Sequence, residues 1–169
     1  MKPMPTRAQV ASIIEYDPET GLFRWKVHQG GRRAKGWFAG AEEHGYRAIS
    51  VRGRLQRAHR IAWLLMTGDW PALEIDHIDG DRANNRWSNL REVPHAINSH
   101  NQQRPSRNSA TGVLGVTRGA SKTSPYIAGI RVDGKRIHLG SFATIEEARD
   151  AYLRAKRRLH PGFVPGEAA

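Results

Sequence analysis

Residues 75–101 read IDHIDGDRANNRWSNLREVPHAINSHN, and the interpretation of the whole chain starts from this stretch. Asp76 and His77 are adjacent, Asn89 follows Asp76 after 13 residues, and Asn98 follows Asn89 after 9. Hydrolysis of a phosphodiester needs a base with a near-neutral pKa to activate water, and His77 is the natural candidate. It also needs a cation beside the phosphate, and Asp76 and Asn98 offer oxygen ligands that suit Mg²⁺ or Mn²⁺. The residue types therefore indicate a metal-assisted hydrolytic site.

This stretch resembles the HNH endonucleases, in the branch found in phages and in intron-encoded homing enzymes. The resemblance covers roughly residues 40–101. It implies a ββα fold with a metal, Mg²⁺ or Mn²⁺, between a strand and the helix. It also implies that Asp76 and Asn98 are the metal ligands, that His77 is the general base, and that Asn89 braces the loop and orients His77.

Two further histidines and the lack of cysteines qualify this resemblance. Many HNH proteins have a histidine where this chain has Asn98, so the chain resembles the version that uses asparagine, and His100 is the alternative ligand. His59 lies in an AHRIAW segment similar to the family's upstream segment; a packed or capping role is favoured over a supporting role in the site. No cysteine pairs flank the motif, so no structural zinc is expected.

Composition points to a nucleic-acid partner inside the cell. The 169-residue chain has a formal net charge of +11, which favours binding to a polyanion. Asp76, Asp79 and Asp81 form an acidic cluster within this basic chain, as a cation site beside phosphates requires. The absence of cysteine excludes disulfides, and no apolar run or signal-peptide pattern predicts a membrane or secreted protein. We expect a cytoplasmic protein of a bacterial host that is encoded by a phage or another mobile element.

Hydrophobic patterning and turn residues predict short helices and strands before the motif. The predicted elements are a helix at 8–14, a turn at 17–21 leading into a strand at 22–26, a Gly-rich loop at 29–36, a hairpin of 46–51 with 54–58, a helix at 59–66, a short segment at 90–93, and a helix opened by Pro94.

A polar stretch marks the predicted domain boundary. Residues 99–111 are rich in Ser, Asn, Gln, Arg and Pro, which is typical of a linker. The predicted fold class is α+β: a ββα-metal nuclease domain with a β-rich N-terminal extension, and a small three-stranded antiparallel sheet with one packed helix. The predicted segments are a nuclease domain at 1–101 with its motif core at 74–101, a linker at 102–111, and a DNA-binding domain at 112–163.

The sequence VDGK at 132–135 predicts a two-residue hairpin turn. Counting outward pairs Val132 with Lys135 and continues to Ala128 with Leu139. Alternation then places Ala128, Ile130, Val132, Ile137 and Leu139 on an apolar face, and Gly129, Arg131, Arg136 and His138 on the other. Two adjacent guanidiniums are unfavourable without an anionic partner, so we expect the second face to meet DNA. Thr144 and Glu147 form a predicted capping box that opens a helix, whose stripe of Ala148, Ala151, Tyr152 and Ala155 should cover the apolar face.

Residues 112–155 resemble the plant ethylene-response-factor (APETALA) type of DNA-binding domain, which is also found fused to phage HNH nucleases. The resemblance implies a three-stranded sheet in the major groove of DNA. It places Thr117, Arg131, Arg136 and His138 at positions that contact bases or phosphates, with Arg118 beside them. The plant domain has tryptophans where Thr123 and His138 stand and a glutamate where Gly129 stands, so its target sequence does not transfer.

Together these features predict a metal-dependent endonuclease acting on double-stranded DNA, of the homing or nicking type. One motif implies one active site, so a monomer should nick, and cutting both strands requires a dimer or a second engagement. Two alternatives remain at this point: a non-catalytic, sequence-specific DNA-binding regulator, and an RNA-binding or ribosome-associated basic protein.

Overall fold

The computed structural model describes residues 3–28, 36, 38–102 and 104–165. Contacts divide the chain into two compact units, Met1–Pro94 and His95–Ala169. The division falls before the linker predicted at 102–111. In the described ranges no helix has the length and apolar character needed to cross a bilayer. The predicted loop at 29–36 lies outside the described residues except for Gly36.

The described residues of the N-terminal unit form two helices and three small antiparallel sheets. Strand β1 pairs with β2, β4 pairs with β3 and β5, and β6 pairs with β7. A 3₁₀ turn at Trp87–Asn89 precedes β7. The bounds are α1 Arg7–Ala11, β1 Ile14–Asp17, β2 Leu22–Trp25, β3 Ala41–Glu43, β4 Tyr46–Val51, β5 Arg54–Arg57, α2 Ala58–Thr67, β6 Glu74–His77 and β7 Leu90–Val93.

The apolar core of this unit lies around α2. Ile61 and Leu64 of α2 pack with Phe23 of β2, Ile49 of β4 and Ile75 of β6 in one buried cluster. The predicted helix at 59–66 is confirmed with slightly wider bounds. The predicted helix at 8–14 is wrong at its C-terminal end: Thr6 caps α1 and the helix ends by Ser12, because Ile14 pairs with Trp25 in β1–β2 and buries its side chain there.

The C-terminal unit begins with helix α3 and continues into a three-stranded sheet and one long helix. The sheet has the order β10-β9-β8, with both pairs antiparallel. The bounds are α3 His95–His100, β8 Val116–Arg118, β9 Tyr126–Val132, β10 Lys135–Phe142 and α4 Ile145–Leu159.

Helix α4 covers the sheet as the sequence predicted, except at Ile137, which is 40% exposed and packs in neither buried cluster. Thr144 and Glu147 form the capping box in both directions. Ala148 packs in a buried cluster with Val116 and Ala128, and Tyr152 and Ala155 pack with Ile130. Small side chains at the contact allow the helix backbone to approach the sheet.

The predicted register is right near the turn and wrong at its far end. Val132 pairs with Lys135, and the ladder continues to Gly129 opposite His138. A bulge then makes Gly140, not Leu139, the partner of Ala128. Gly140 has a φ of 137°, which only glycine adopts without strain, and Leu139 packs into both clusters beneath the sheet.

Lys156 lies in the last turn of α4, where a basic side chain ordinarily complements the helix C-terminus from the surface. Its side chain is instead almost fully buried, and Nζ donates to the carbonyl of Gln102 and lies 4.5 Å from the centre of the Phe163 ring. Burial lowers the pKa of Lys156 to about 8. The lysine thus attaches the start of the polar segment to α4.

Candidate active site

The β6–β7 hairpin carries the candidate residues of the N-terminal unit. Asp76 and His77 are the last two residues of β6, and both are buried despite being polar. Pairing is antiparallel, with Asp76 opposite Arg91 and His77 opposite Leu90. The long connection between the strands, residues 78–89, has no regular periodicity and is held by side-chain hydrogen bonds.

Asn89 is the centre of that hydrogen-bond network. Its Nδ2 donates to Asp79 Oδ1 at 2.9 Å and to the carbonyl of Asn84 at 2.9 Å, while its Oδ1 accepts from the Asp79 backbone at 3.0 Å. Its own carbonyl accepts from the N–H of Ile78 at 2.9 Å. Asn89 therefore ties both ends of the connection together beside the last residues of β6.

The carboxylate of Asp79 accepts hydrogen bonds from three other residues of the connection, Asp81, Asn84 and Asn89. Its Oδ2 accepts from Asn84 Nδ2 at 2.7 Å, and its Oδ1 also accepts from the Asp81 backbone at 2.8 Å. Burial acts to raise the pKa of Asp79, but hydrogen bonds from Asn84, Asn89 and the Asp81 backbone outweigh it and hold the pKa below its ordinary value. Asp79 is thus an ionised carboxylate that organises the loop.

The ring of His77 is contacted by Asn85, a residue that sequence reasoning did not single out for this role. His77 Nε2 lies 3.3 Å from Asn85 Oδ1, and Asn85 Nδ2 donates to the carbonyl of Ala83 at 3.0 Å. This second bond fixes the amide so that its oxygen faces the ring. An amide oxygen only accepts, so this contact assigns the proton to Nε2 and makes Nδ1 the basic nitrogen of the ring.

Two aromatic rings enclose His77 and keep it neutral. His59 meets it edge to face at 5.0 Å between centroids, and Tyr46 lies at 6.0 Å. Burial lowers the pKa of His77, although the Asn85 contact and the carboxylates of Asp79, Asp76 and Asp81 act to raise it. Burial, with the neighbouring His77 and two arginines, lowers the pKa of His59 to about 3. An imidazole that is neutral near pH 7 has the protonation state that a general base requires.

The β1–β2 hairpin holds the Asn85 segment in place. Tyr16 Oη donates to the carbonyl of Asn85 at 2.7 Å, and the N–H of Trp87 donates to the carbonyl of Pro18 at 2.9 Å. Gly21 has a φ of 73°, and a Cβ placed on it would lie 2.6 Å from the carbonyl carbon of Asn85. Glycine is needed here both for the turn and for this close approach.

Asp76 forms an ion pair with Arg91 across the hairpin. Arg91 donates to Asp76 Oδ2 through Nε at 2.9 Å and through Nη2 at 2.8 Å. Register explains the pair, because directly opposite residues of an antiparallel ladder project to the same face. The carboxylate that the sequence assigns to a metal is therefore oriented by a guanidinium.

Asn98, the other predicted metal ligand, lies on α3 in the C-terminal unit. Its side chain is partly buried, and its carbonyl accepts from the N–H of Asn101 at 3.1 Å. The ring of His100, the alternative ligand, stacks on His160 with 4.2 Å between centroids. The convergence of Asp76 and Asn98 on one cation stays a prediction.

The donor set fits a hard cation better than a thiophilic one. Asp76 offers a carboxylate and Asn98 an amide oxygen, which are ligands that Mg²⁺ and Mn²⁺ accept. In the described part of the chain, no group of three His, Asp or Glu side chains is arranged to hold a metal. Two protein ligands leave coordination positions for water and phosphate oxygens.

Comparison with known proteins supports the interpretation of this hairpin. Residues 56–100 match the HNH endonuclease family. The match begins within β5, runs through α2 with His59, and includes Asp76, His77, Asn89 and Asn98. No curated protein and no solved structure gave a match. We call residues 56–100 the HNH segment.

The residues predicted to bind DNA lie outside the HNH segment, on the sheet of the C-terminal unit. Thr117, Arg131, Arg136 and His138 project to the sheet face opposite α4 and are exposed. Arg136 Nη2 donates to Thr117 Oγ1 at 3.3 Å. Along the described ranges, no carboxylate forms an ion pair with either arginine. We call this surface the outer sheet face.

Arg118 is not brought to the outer sheet face. It pairs with Tyr126, whose side chain is on the α4 side, and its guanidinium lies 5.7 Å from the centre of the Tyr126 ring. A cleft of about 620 Å³ borders the outer sheet face, between residues 105–110 and a floor that includes Thr117, Arg131 and Arg136. The polar segment predicted as a linker thus forms one wall of a basic cleft.

Sequence reasoning missed Asn85 and Arg91 for different reasons. Asn85 reaches His77 through an irregular loop, and only the recurrence of asparagine at 84, 85 and 89 hinted at a buried network there. Arg91 would follow from alternation once the register of β6 and β7 is known. Because a 12-residue connection has no fixed turn type, the sequence did not give that register.

Proposed function

We propose that this chain is a metal-dependent endonuclease that hydrolyses phosphodiester bonds of double-stranded DNA. The observation that carries the proposal is His77: a buried, neutral imidazole whose tautomer is set by Asn85, adjacent to the carboxylate of Asp76, within the HNH segment. That arrangement supplies a base with its lone pair on Nδ1 next to a candidate metal ligand.

In this proposal His77 takes a proton from water through Nδ1 while Asn85 accepts the hydrogen bond of Nε2–H. As the ring becomes positively charged, Asn85 Oδ1 and the carboxylates of Asp76 and Asp79 stabilise it. Asp76 and Asn98 would hold Mg²⁺ or Mn²⁺, which would supply positive charge to stabilise the phosphate and the departing 3′ oxygen. Asn89 keeps the loop closed, so that the imidazole is held in one orientation. The oxygen of the deprotonated water bonds to phosphorus as the P–O3′ bond breaks, and the 3′ oxygen takes a proton from solvent, so the products carry 5′-phosphate and 3′-hydroxyl ends.

We assign DNA positioning to the C-terminal unit, as a domain of the ethylene-response-factor type. The exposed arginines of the outer sheet face and the bordering cleft support this assignment. Two adjacent guanidiniums without carboxylate partners favour a polyanionic partner. Arg118, whose guanidinium lies over the Tyr126 ring, also lines this cleft and is a candidate phosphate contact. The biological setting we propose is homing of a phage or mobile element in a bacterial cytoplasm, with a monomer that nicks.

Incubation with supercoiled plasmid tests the proposal. A nuclease of this type converts plasmid to the open-circular form in Mg²⁺ and stops when EDTA is added. A regulator shifts the plasmid in a gel and leaves it supercoiled, and an RNA-binding protein prefers structured RNA over duplex DNA in competition at one stated salt concentration. Either of these results contradicts the proposed function.

End mapping separates the two units. The full chain should cut at preferred positions, whereas a chain that lacks the outer sheet face arginines through Arg131→Ala and Arg136→Ala should cut with less preference. An unchanged cleavage pattern would remove the C-terminal unit from the proposal and leave the nuclease in place.

A further inference from the structure

The ion pair between Asp76 and Arg91 has a consequence for when a metal binds. Nε and Nη2 of the guanidinium donate to the same oxygen, Asp76 Oδ2. Asp76 is 6% exposed, so its negative charge is largely shielded from water and is balanced by the arginine. The side chain of Arg91 keeps 27% of its surface exposed, at the edge of the site.

A neutral ion pair attracts a divalent cation weakly. Any cation that binds the Asp76 carboxylate must lie within a few ångströms of the Arg91 guanidinium and is repelled by it. Asp79, a carboxylate of the loop that follows β6, has its oxygens engaged by Asn84, Asn89 and the Asp81 backbone. These donors are neutral, so Asp79 keeps its charge, but its oxygens are occupied and the repulsion by Arg91 is offset only in part.

A phosphate of the substrate changes this balance. It adds a negative charge and further oxygen ligands for the cation. We propose that Arg91 keeps the affinity of the DNA-free protein for divalent cations low, so that the metal binds together with a DNA phosphate. This inference rests on the proposed function and assigns to Arg91 the control of metal binding; it is a positioning residue that acts through Asp76.

Mn²⁺ binding, followed by the electron paramagnetic resonance of the free ion, tests the role of Arg91. All samples carry His77→Ala so that added DNA stays intact. Arg91→Gln removes the charge, Arg91→Lys retains it, and Arg91→Gln with Asp76→Asn is the blank for binding elsewhere. Without DNA, Arg91→Gln should bind Mn²⁺ at least about tenfold more tightly than the parent, while Arg91→Lys stays close to it.

Addition of a 20-base-pair duplex completes the test. The parent should gain at least about tenfold in Mn²⁺ affinity, corrected with the blank, and Arg91→Gln should gain less, because its DNA-free affinity is already high. Equal or weaker Mn²⁺ binding by a folded Arg91→Gln overturns the proposal. If Arg91→Gln does not fold, the parent and Arg91→Lys provide the test. The proposal is overturned if duplex DNA does not raise the Mn²⁺ affinity of the parent, and it is supported if duplex DNA raises the Mn²⁺ affinity of both proteins.

Failure of this inference is distinguishable from failure of the proposed function. Relaxation of plasmid by the wild-type chain tests the nuclease and does not depend on how Arg91 affects Mn²⁺. A chain that cuts plasmid but binds Mn²⁺ equally with and without Arg91 retains the proposed function and loses only this role for the arginine.

Discussion

Replacing Gly21 by alanine tests whether the β1–β2 hairpin positions the active site. The new Cβ would lie 2.5 Å from the backbone nitrogen of Arg86 and 2.6 Å from the carbonyl carbon of Asn85, whereas ordinary contact begins at 3.4 Å. The loop must therefore retreat by about 1 Å. A displacement of that order at a catalytic group costs up to about a hundredfold in rate.

Gly53→Ala is the matched control. Gly53 has a φ of 79°, close to the 73° of Gly21, but a Cβ there meets nothing within 4 Å. Both variants lose about 1–2 kcal/mol because alanine is strained in the left-handed region. The backbone overlap at Gly21 adds about 1–3 kcal/mol. The difference between the variants therefore isolates the contact with Asn85.

Tryptophan fluorescence can measure the free energy of unfolding of the N-terminal unit, which contains Gly21 and Gly53. All five tryptophans, at positions 25, 37, 63, 70 and 87, precede residue 95, so urea unfolding followed by their emission reports on the N-terminal unit. We expect Gly21→Ala to be less stable than Gly53→Ala and to nick plasmid about tenfold to a hundredfold more slowly. Equal stability and equal nicking rates in the two variants would refute the positioning role of the hairpin.

Three further predictions concern the histidines and the outer sheet face. Asn85→Ala should slow nicking about tenfold, because one hydrogen bond to the ring of His77 is lost. Asn85→Asp places a carboxylate beside that ring, which raises the pKa of His77, so the acidic limb of the pH–rate profile should move upward by about one pH unit or more. An unchanged profile contradicts the contact. Folding lowers the pKa of His59 from its ordinary value of 6.5 to about 3, so between these pH values the imidazole is neutral in the folded state and protonated in the unfolded state. The free energy of unfolding should therefore fall as the pH decreases from 6.5 toward 3, by up to about 1.4 kcal/mol per pH unit. His59→Gln should flatten this slope, and an equally steep slope in the variant rejects the assignment. Arg136→Ala should weaken DNA binding, measured by fluorescence anisotropy, and reduce the slope of log affinity against log salt concentration by about one. An unaltered salt slope excludes a phosphate contact by Arg136. If the slope is unaltered and binding weakens only for particular sequences, Arg136 contacts a base instead.

The sequence was most informative where local chemistry decides the structure. The Asp133-Gly134 turn determined the register of the C-terminal hairpin, since such turns impose a two-residue connection. The Thr144–Glu147 capping box placed the start of α4. Asp76, His77 and Asn89, singled out for their chemistry and spacing, lie in the segment that matches the HNH endonuclease family, and their individual roles stay predictions.

Features that depend on tertiary contacts were not predictable in the same way. The bulge at Gly140 arises from packing of Leu139 against α4. Pairing residues outward from the turn assumes an uninterrupted ladder and therefore cannot predict a bulge. Lys156 followed a helix-end pattern but is buried against Gln102, because position on a helix does not show what lies over it. Asn85 contacts His77 only because a separate hairpin holds its loop.

Single-turnover cleavage by His77→Ala tests the central claim most directly. His28, an exposed histidine of the N-terminal unit, provides the control His28→Ala. At saturating protein and Mg²⁺, we expect His77→Ala to bind plasmid with unchanged affinity and to nick it about 10²- to 10⁴-fold more slowly, while His28→Ala nicks at the wild-type rate. Nicking by His77→Ala within a fewfold of wild type would contradict the account, because the base would then lie elsewhere.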